Sequence, residues 1–175
     1  MSGMRLLLLA LATAVATGAL AQSDFGFMPD GGKEILGRLV AAGRLDLADV
    51  IGRKATEEDW TATVRAADPA LDADATATLA SYLALNMPAP VAAQPSVDAL
   101  PQDGKQLAIQ NCQFCHSFFS GYLVHERDAE GWRAIFRSPF HKELPMSPVQ
   151  RETFARYSAI NMPVPTDKVP EELRF

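Results

Sequence analysis

Ser81-Tyr82-Leu83-Ala84-Leu85-Asn86-Met87-Pro88-Ala89-Pro90 and Arg156-Tyr157-Ser158-Ala159-Ile160-Asn161-Met162-Pro163-Val164-Pro165 are two versions of one stretch, each a tyrosine-bearing run halted at a proline. Working back from them, Glu58-Asp59-Trp60 pairs with Glu130-Gly131-Trp132, and Gly32-Lys33-Glu34-Ile35-Leu36 with Gly104-Lys105-Gln106-Leu107-Ala108. Self-similarity of this kind marks a supersecondary unit used twice. The two earlier matches share one spacing, Gly32 to Gly104, whereas the last, Tyr82 to Tyr157, is three residues longer. The second copy therefore carries a short insertion between Trp132 and its closing helix.

Each copy reads as three helices. In the second, Asp103 caps a helix from Gly104 to about Asn111 with Leu107, Ala108 and Ile109 apolar. A short helix starts near Asp128 and carries Trp132, Ile135 and Phe136. The last opens with Ser147 as cap and Pro148 at the first helical position, places Val149, Phe154 and Tyr157 on it, and ends at Pro163. No run shows strand alternation, so the expected fold is all-α. The expected division is a first unit over 22–90, a Pro/Ala-rich linker over 91–101, a second unit over 102–165 and a tail over 166–175.

The bulk numbers narrow the class. The 175 residues are 48% hydrophobic and 21% charged, a globular composition. Arg5, the apolar run from Leu6 to Val15, and small residues at Ala19 and Ala21 predict a signal peptide over 1–21, hence export to a periplasm. A net charge of −5 speaks against nucleic acid as a partner and leaves docking onto a basic protein surface open.

Two cysteines in an exported chain ordinarily form a disulfide. Here they stand as Cys112-Gln113-Phe114-Cys115-His116, the c-type haem attachment pattern. Cysteines three apart at a helix end offer two thioethers to one porphyrin, and the adjacent histidine becomes the proximal iron ligand. A redox dithiol needs an α/β setting that is not visible, and a zinc site needs further ligands, while the chain has no other cysteine. In the first copy Val40, Gly43 and Arg44 occupy the equivalent places, so one covalent haem is expected, in the second unit only.

For the other axial position the candidates are His125, His141, Met146 and Met162. Met162 has Met87 as counterpart in the copy without the motif, so packing explains it. His125 corresponds to Arg53 and lies nearer the proximal side in sequence. His141 falls in Ser138 to Pro145, where the copies diverge and the insertion must lie, which makes it the first choice. Met146 is the second choice, although its counterpart Leu71 gives it an apolar role beside the Ser147 cap. Imidazole favours ferric iron and thioether ferrous iron, so the choice sets the potential. Trp60 and Trp132 recur at one place and are expected in the cores, with Trp132 also a donor to a haem propionate.

Cys112 to His116, Trp132 and the closing helix with Tyr157 resemble the class I cytochrome c family. Glu130-Gly131-Trp132 followed by Arg151 to Ala159 is similar to the cytochrome domains in the haem subunit of quinohaemoprotein amine dehydrogenases and in cytochrome subunits of periplasmic dehydrogenases. The resemblance covers both copies, roughly 32–165, and implies tandem cytochrome c-like domains with a histidine-bearing loop where His141 stands. One attachment site instead of two, and a chain too short for accompanying β-rich domains, argue against an amine dehydrogenase. The expected function is a non-enzymatic electron carrier, a subunit or partner of a periplasmic dehydrogenase or a membrane electron-transport complex. Two alternatives are a docking subunit of a larger redox assembly, and a haem enzyme or gas-binding protein with an open distal site.

Overall fold

The computed structural model describes residues 25–90 and 95–174. The expected export segment 1–21 lies outside them. All the described regular structure is helical, with no strand among the described residues. The first unit contains α1 (Gly32–Ala41), α2 (Leu47–Gly52), α3 (Glu57–Ala67) and α4 (Ala73–Asn86). The second contains α5 (Gly104–Cys112), a π-helical turn (Phe119–Leu123), α6 (Ala129–Ala134), which runs on into a 3₁₀ turn (Ile135–Arg137), and α7 (Pro148–Asn161). Among the described residues no helix is long and apolar enough to cross a membrane.

Short polar side chains start these helices. Asp46, Thr56, Asp72, Asp103, Asp128 and Ser147 each accept a backbone N–H from the first turn, which removes one of the unpaired donors at a helix start. Three helices per unit is one too few: α2 in the first unit and the π turn in the second stand between the opening helix and the tryptophan helix. Val149 also departs from expectation. It is 48% exposed, because five residues on a helix turn it well away from Phe154, while Thr153, Phe154, Tyr157 and Ser158 form the buried stripe.

The units have separate cores. Ile35, Leu36, Trp60, Val64, Leu79 and Leu83 fill the first, and Leu107, Tyr122, Trp132, Phe154, Tyr157 and Val169 the second. In both, a glycine lets the opening helix touch the closing one: a Cβ on Gly32 would stand 2.5 Å from Tyr82 Cβ, and one on Gly104 only 2.1 Å from Tyr157 Cβ.

The segments before the opening helices are exchanged. Met28 is buried in the second core with Phe25 against it, while Leu100 is buried in the first with Val97 against it. The hydrogen bonds are equally reciprocal. Tyr82 Oη donates to Pro101 O (2.8 Å) and Tyr157 Oη to Pro29 O (2.7 Å). Where α4 packs along α7, Asn86 Nδ2 donates to Thr153 Oγ1 (3.2 Å) and Asn161 Nδ2 to Thr78 Oγ1 (2.8 Å). The two copies are thus arranged as an interlocked pseudo-dimer within one chain.

Asp103 sits at this crossing. It is 1% exposed, caps α5 through Gln106 N (3.0 Å) and accepts Lys33 N of the other unit (2.9 Å). Burial raises its pKa, and the two N–H donors oppose that rise. Asp103→Ala removes a cap worth about 1 kcal/mol and strands a buried amide at about 1–3 kcal/mol, so chemical denaturation should show a loss of about 2–4 kcal/mol. A loss under about 1 kcal/mol would mean that the crossing bond adds nothing.

Candidate functional site

The end of α5, the π turn, α6 and the loop before α7 enclose a cavity of about 500 Å³, within the range of small-molecule and cofactor sites. Cys112, Cys115, His116, Trp132, His141 and Met146 all line it. His125 and Met162 do not; Met162 is packed in the second core, as Met87 is in the first. Much of the remaining wall is apolar or aromatic, including Tyr122, Phe136 and Phe154.

The two cysteines are free thiols. Cys115 is exposed at the mouth, while Cys112 is half-buried, and burial together with the neighbouring Cys115 pushes its thiol up to about 12. At neutral pH Cys112 is therefore a protonated, weakly reactive thiol.

His116 and His141 face one another with ring centres 6.2 Å apart and planes at 85°. Each ring is anchored through Nδ1. His116 Nδ1 is 3.2 Å from Ser117 O, a carbonyl that can only accept, so Nδ1 carries the proton. His141 Nδ1 is 3.1 Å from Ser138 Oγ, which also accepts His141 N at 3.3 Å. Both rings thus keep Nε2 for another partner, the arrangement by which a hydrogen bond at one nitrogen prepares the other to bind metal. A metal held between the two rings, one nitrogen from each on opposite sides, would need bonds of about 2.0–2.1 Å and ring centres roughly 6.3 Å apart. Two imidazoles are an incomplete set for a bare ion, and among the described residues no cluster of three or more His, Cys, Asp or Glu could hold one. They fit an ion that brings its own equatorial donors.

Trp132 Nε1 is buried without a hydrogen-bond partner, and Arg127 lines the cavity with its guanidinium carbon 5.7 Å from the centre of that ring. Unpaired buried donors are uncommon and call for an acceptor. Trp60 Nε1 is equally unpaired, so the orphan belongs to the repeat and the surroundings make the difference. The counterpart cavity in the first unit is only about 190 Å³ and is lined by Arg44, Asp46, Asp49 and Arg53, with the Arg53 guanidinium 4.6 Å from the centre of the Trp60 ring. A large apolar group fits the second unit and not the first.

Besides Arg127, three residues at the site are not singled out by the sequence. Gly121 lies against the His116 ring, where a Cβ would stand 2.0 Å from Nδ1; its counterpart is Asp49, and that replacement was the available signal. Ser138 orients His141, and Arg151 holds the loop that carries it, donating to the carbonyls of Lys142, Leu144 and Met146.

No family model matches this chain, and no curated protein or solved structure matches it either.

Proposed function

We propose that this chain is a monohaem c-type cytochrome of two tandem class I-like units, with haem in the second alone, that carries single electrons between exported redox proteins. The observation that supports this most is the pair of anchored imidazoles, His116 and His141, 6.2 Å apart across a cavity that Cys112 and Cys115 also line. Haem held there supplies a one-electron iron couple. The thiols of Cys112 and Cys115 would form the thioethers, and His116 and His141 would hold the iron. Trp132 and Arg127 offer N–H donors to a propionate. The apolar wall excludes water.

Were both imidazoles to hold the iron, no coordination site would remain for a substrate, which favours a carrier over a haem enzyme or gas sensor. His141 is then the distal ligand, and Met146 a buried neighbour in the same cavity. Export of the chain, with 1–21 removed, and a dehydrogenase or membrane electron-transport complex as partner belong to the same proposal. The haem-free unit, interlocked with the second through exchanged segments, serves as its support and as a surface for docking into a larger assembly.

The test is expression of the full chain with periplasmic haem-attachment machinery, followed by a haem-stained denaturing gel and a pyridine haemochrome spectrum. One covalent haem per chain, absent from the Cys112→Ala/Cys115→Ala protein, and a ferrous form slow to bind carbon monoxide are expected. A chain that emerges without haem removes the proposal, and rapid carbon monoxide binding replaces the carrier with an open-site protein.

Gly121→Ala gives a second expectation. Its methyl group collides with the His116 ring, and overpacking of this sort costs about 1–3 kcal/mol. Haem should remain attached while the ferric low-spin signal in electron paramagnetic resonance falls and a high-spin fraction grows. An unaltered spectrum would show that His116 is positioned by other contacts.

A further inference from the structure

The stretch between the 3₁₀ turn and α7 presents two potential ligands to one cavity, His141 and Met146, five residues apart. It has no regular structure to fix its register. Its own backbone bonds are local: Lys142 N to Ser138 O (3.0 Å), Leu144 N to His141 O (3.2 Å) and Met146 N to Leu144 O (2.7 Å). Leu144 and Met146 pack on the second core, and the hydrogen bonds that tie the stretch to the rest of the described residues come from Arg151, in the first turn of α7. Its Nη2 donates to Lys142 O (2.7 Å) and Leu144 O (3.1 Å), and its Nε to Met146 O (3.1 Å). Its guanidinium carbon lies 5.0 Å from the centre of the Phe136 ring, whose side chain is buried in the second core.

We propose that Arg151 is the positioning residue that makes His141, rather than Met146, the group opposite His116. The inference rests on the axial pair argued above. The three carbonyls it gathers lie on the segment that separates the two candidates, so the clamp fixes their spacing relative to α7. Holding the Met146 carbonyl keeps that side chain in the core, and holding Lys142 keeps the neighbouring His141 turned to the cavity. Only a planar fork reaches several acceptors at once while stacking on a ring; a lysine ammonium at this place has one nitrogen to offer. The repeat agrees. At the equivalent place in the first unit stands Thr76, where there is neither insertion nor histidine to hold. An arginine is present only in the copy whose loop needs one.

The experiment compares wild type, Arg151→Gln, Arg151→Lys and, as a control destabilised elsewhere, Asp103→Ala, all as haem-loaded full chains. The readouts are the ferric spectrum and the limiting rate of carbon monoxide binding to the ferrous form at saturating gas, which reports how often the distal ligand lets go. Arg151→Gln is expected to raise that rate tenfold or more, or to bring in the near-infrared sulfur-to-iron band of methionine ligation. Arg151→Lys should fall between it and wild type, and Asp103→Ala should keep the wild-type rate despite its lower stability. If Arg151→Gln yields no haem protein, Arg151→Lys carries the comparison. A bis-imidazole wild type whose rate stays within twofold in both Arg151 variants overturns the clamp alone. A wild type that already shows methionine ligation overturns the axial pair and the clamp with it. An equal acceleration in Asp103→Ala also overturns it, since loss of stability would then suffice.

Discussion

In the proposed haem protein, replacing His141 by alanine is expected to open the iron while leaving haem attached. Cys112, Cys115 and His116 are untouched, so a denaturing gel should still stain for haem at wild-type intensity. The ferric protein should lose most of its low-spin signal, and carbon monoxide should bind the ferrous form about a hundredfold faster or more, because a protein ligand anchored by Ser138 no longer competes for the site. Met146 lies in the same cavity and carries a thioether able to take the vacant place. His141→Ala/Met146→Ala separates the outcomes: if Met146 has moved in, the single variant is partly low-spin and the double variant is not. Met146→Ala alone should keep the wild-type spectrum and cost about 2–5 kcal/mol as a cavity in the core. A His141→Ala protein with an unchanged spectrum and rate would return the distal position to Met146.

Trp60→Ala is expected to be the most destabilising single change away from the haem. Trp60 is 1% exposed in the first core, and truncating a buried tryptophan costs about 3–5 kcal/mol. For a chain of this size that lowers Tm by about 6–20 °C. Far-ultraviolet circular dichroism and haem absorbance should nevertheless report one transition, shifted together. The reason is the exchange: Leu100 and Val97 from the approach to the second unit complete the first core, and Met28 and Phe25 from the approach to the first unit complete the second. If the haem band melts at its wild-type temperature while helicity falls in an earlier step, the units are independent and the exchange is only geometric.

The parts that were legible in the sequence are those written as local chemistry. Caps at Asp103, Asp128 and Ser147 and the stop at Pro163 are local signals, and the helices begin and end accordingly. Cys112, Cys115 and His116 are adjacent in sequence, and divergence between the copies singled out the loop of His141; all of these line one cavity with Trp132 and Met146. What was not legible depends on distance in space. Helix α2 has six residues, too few for a periodic pattern, and the π turn has five. Nothing around Met28 tells that it packs in the unit 75 or more residues further along, since an isolated methionine has no periodicity. The clamp made by Arg151 was not legible because its partners are backbone carbonyls, which carry no sequence signature.

The two tyrosine bonds that tie the units together are counterparts in space but not along the chain. Tyr82 reaches Pro101 across 19 residues, while Tyr157 reaches Pro29 across 128. Closing the longer loop costs about 1.7 kcal/mol more in chain entropy, from (3/2)RT times the logarithm of that ratio. The short closure can be made as soon as the first unit and the segment after it have been synthesised; the long one waits for α7, the last long helix to be made. A symmetric fold thus acquires a direction in time: the N-terminal strap of the chain is the first part delivered and among the last to find its seat.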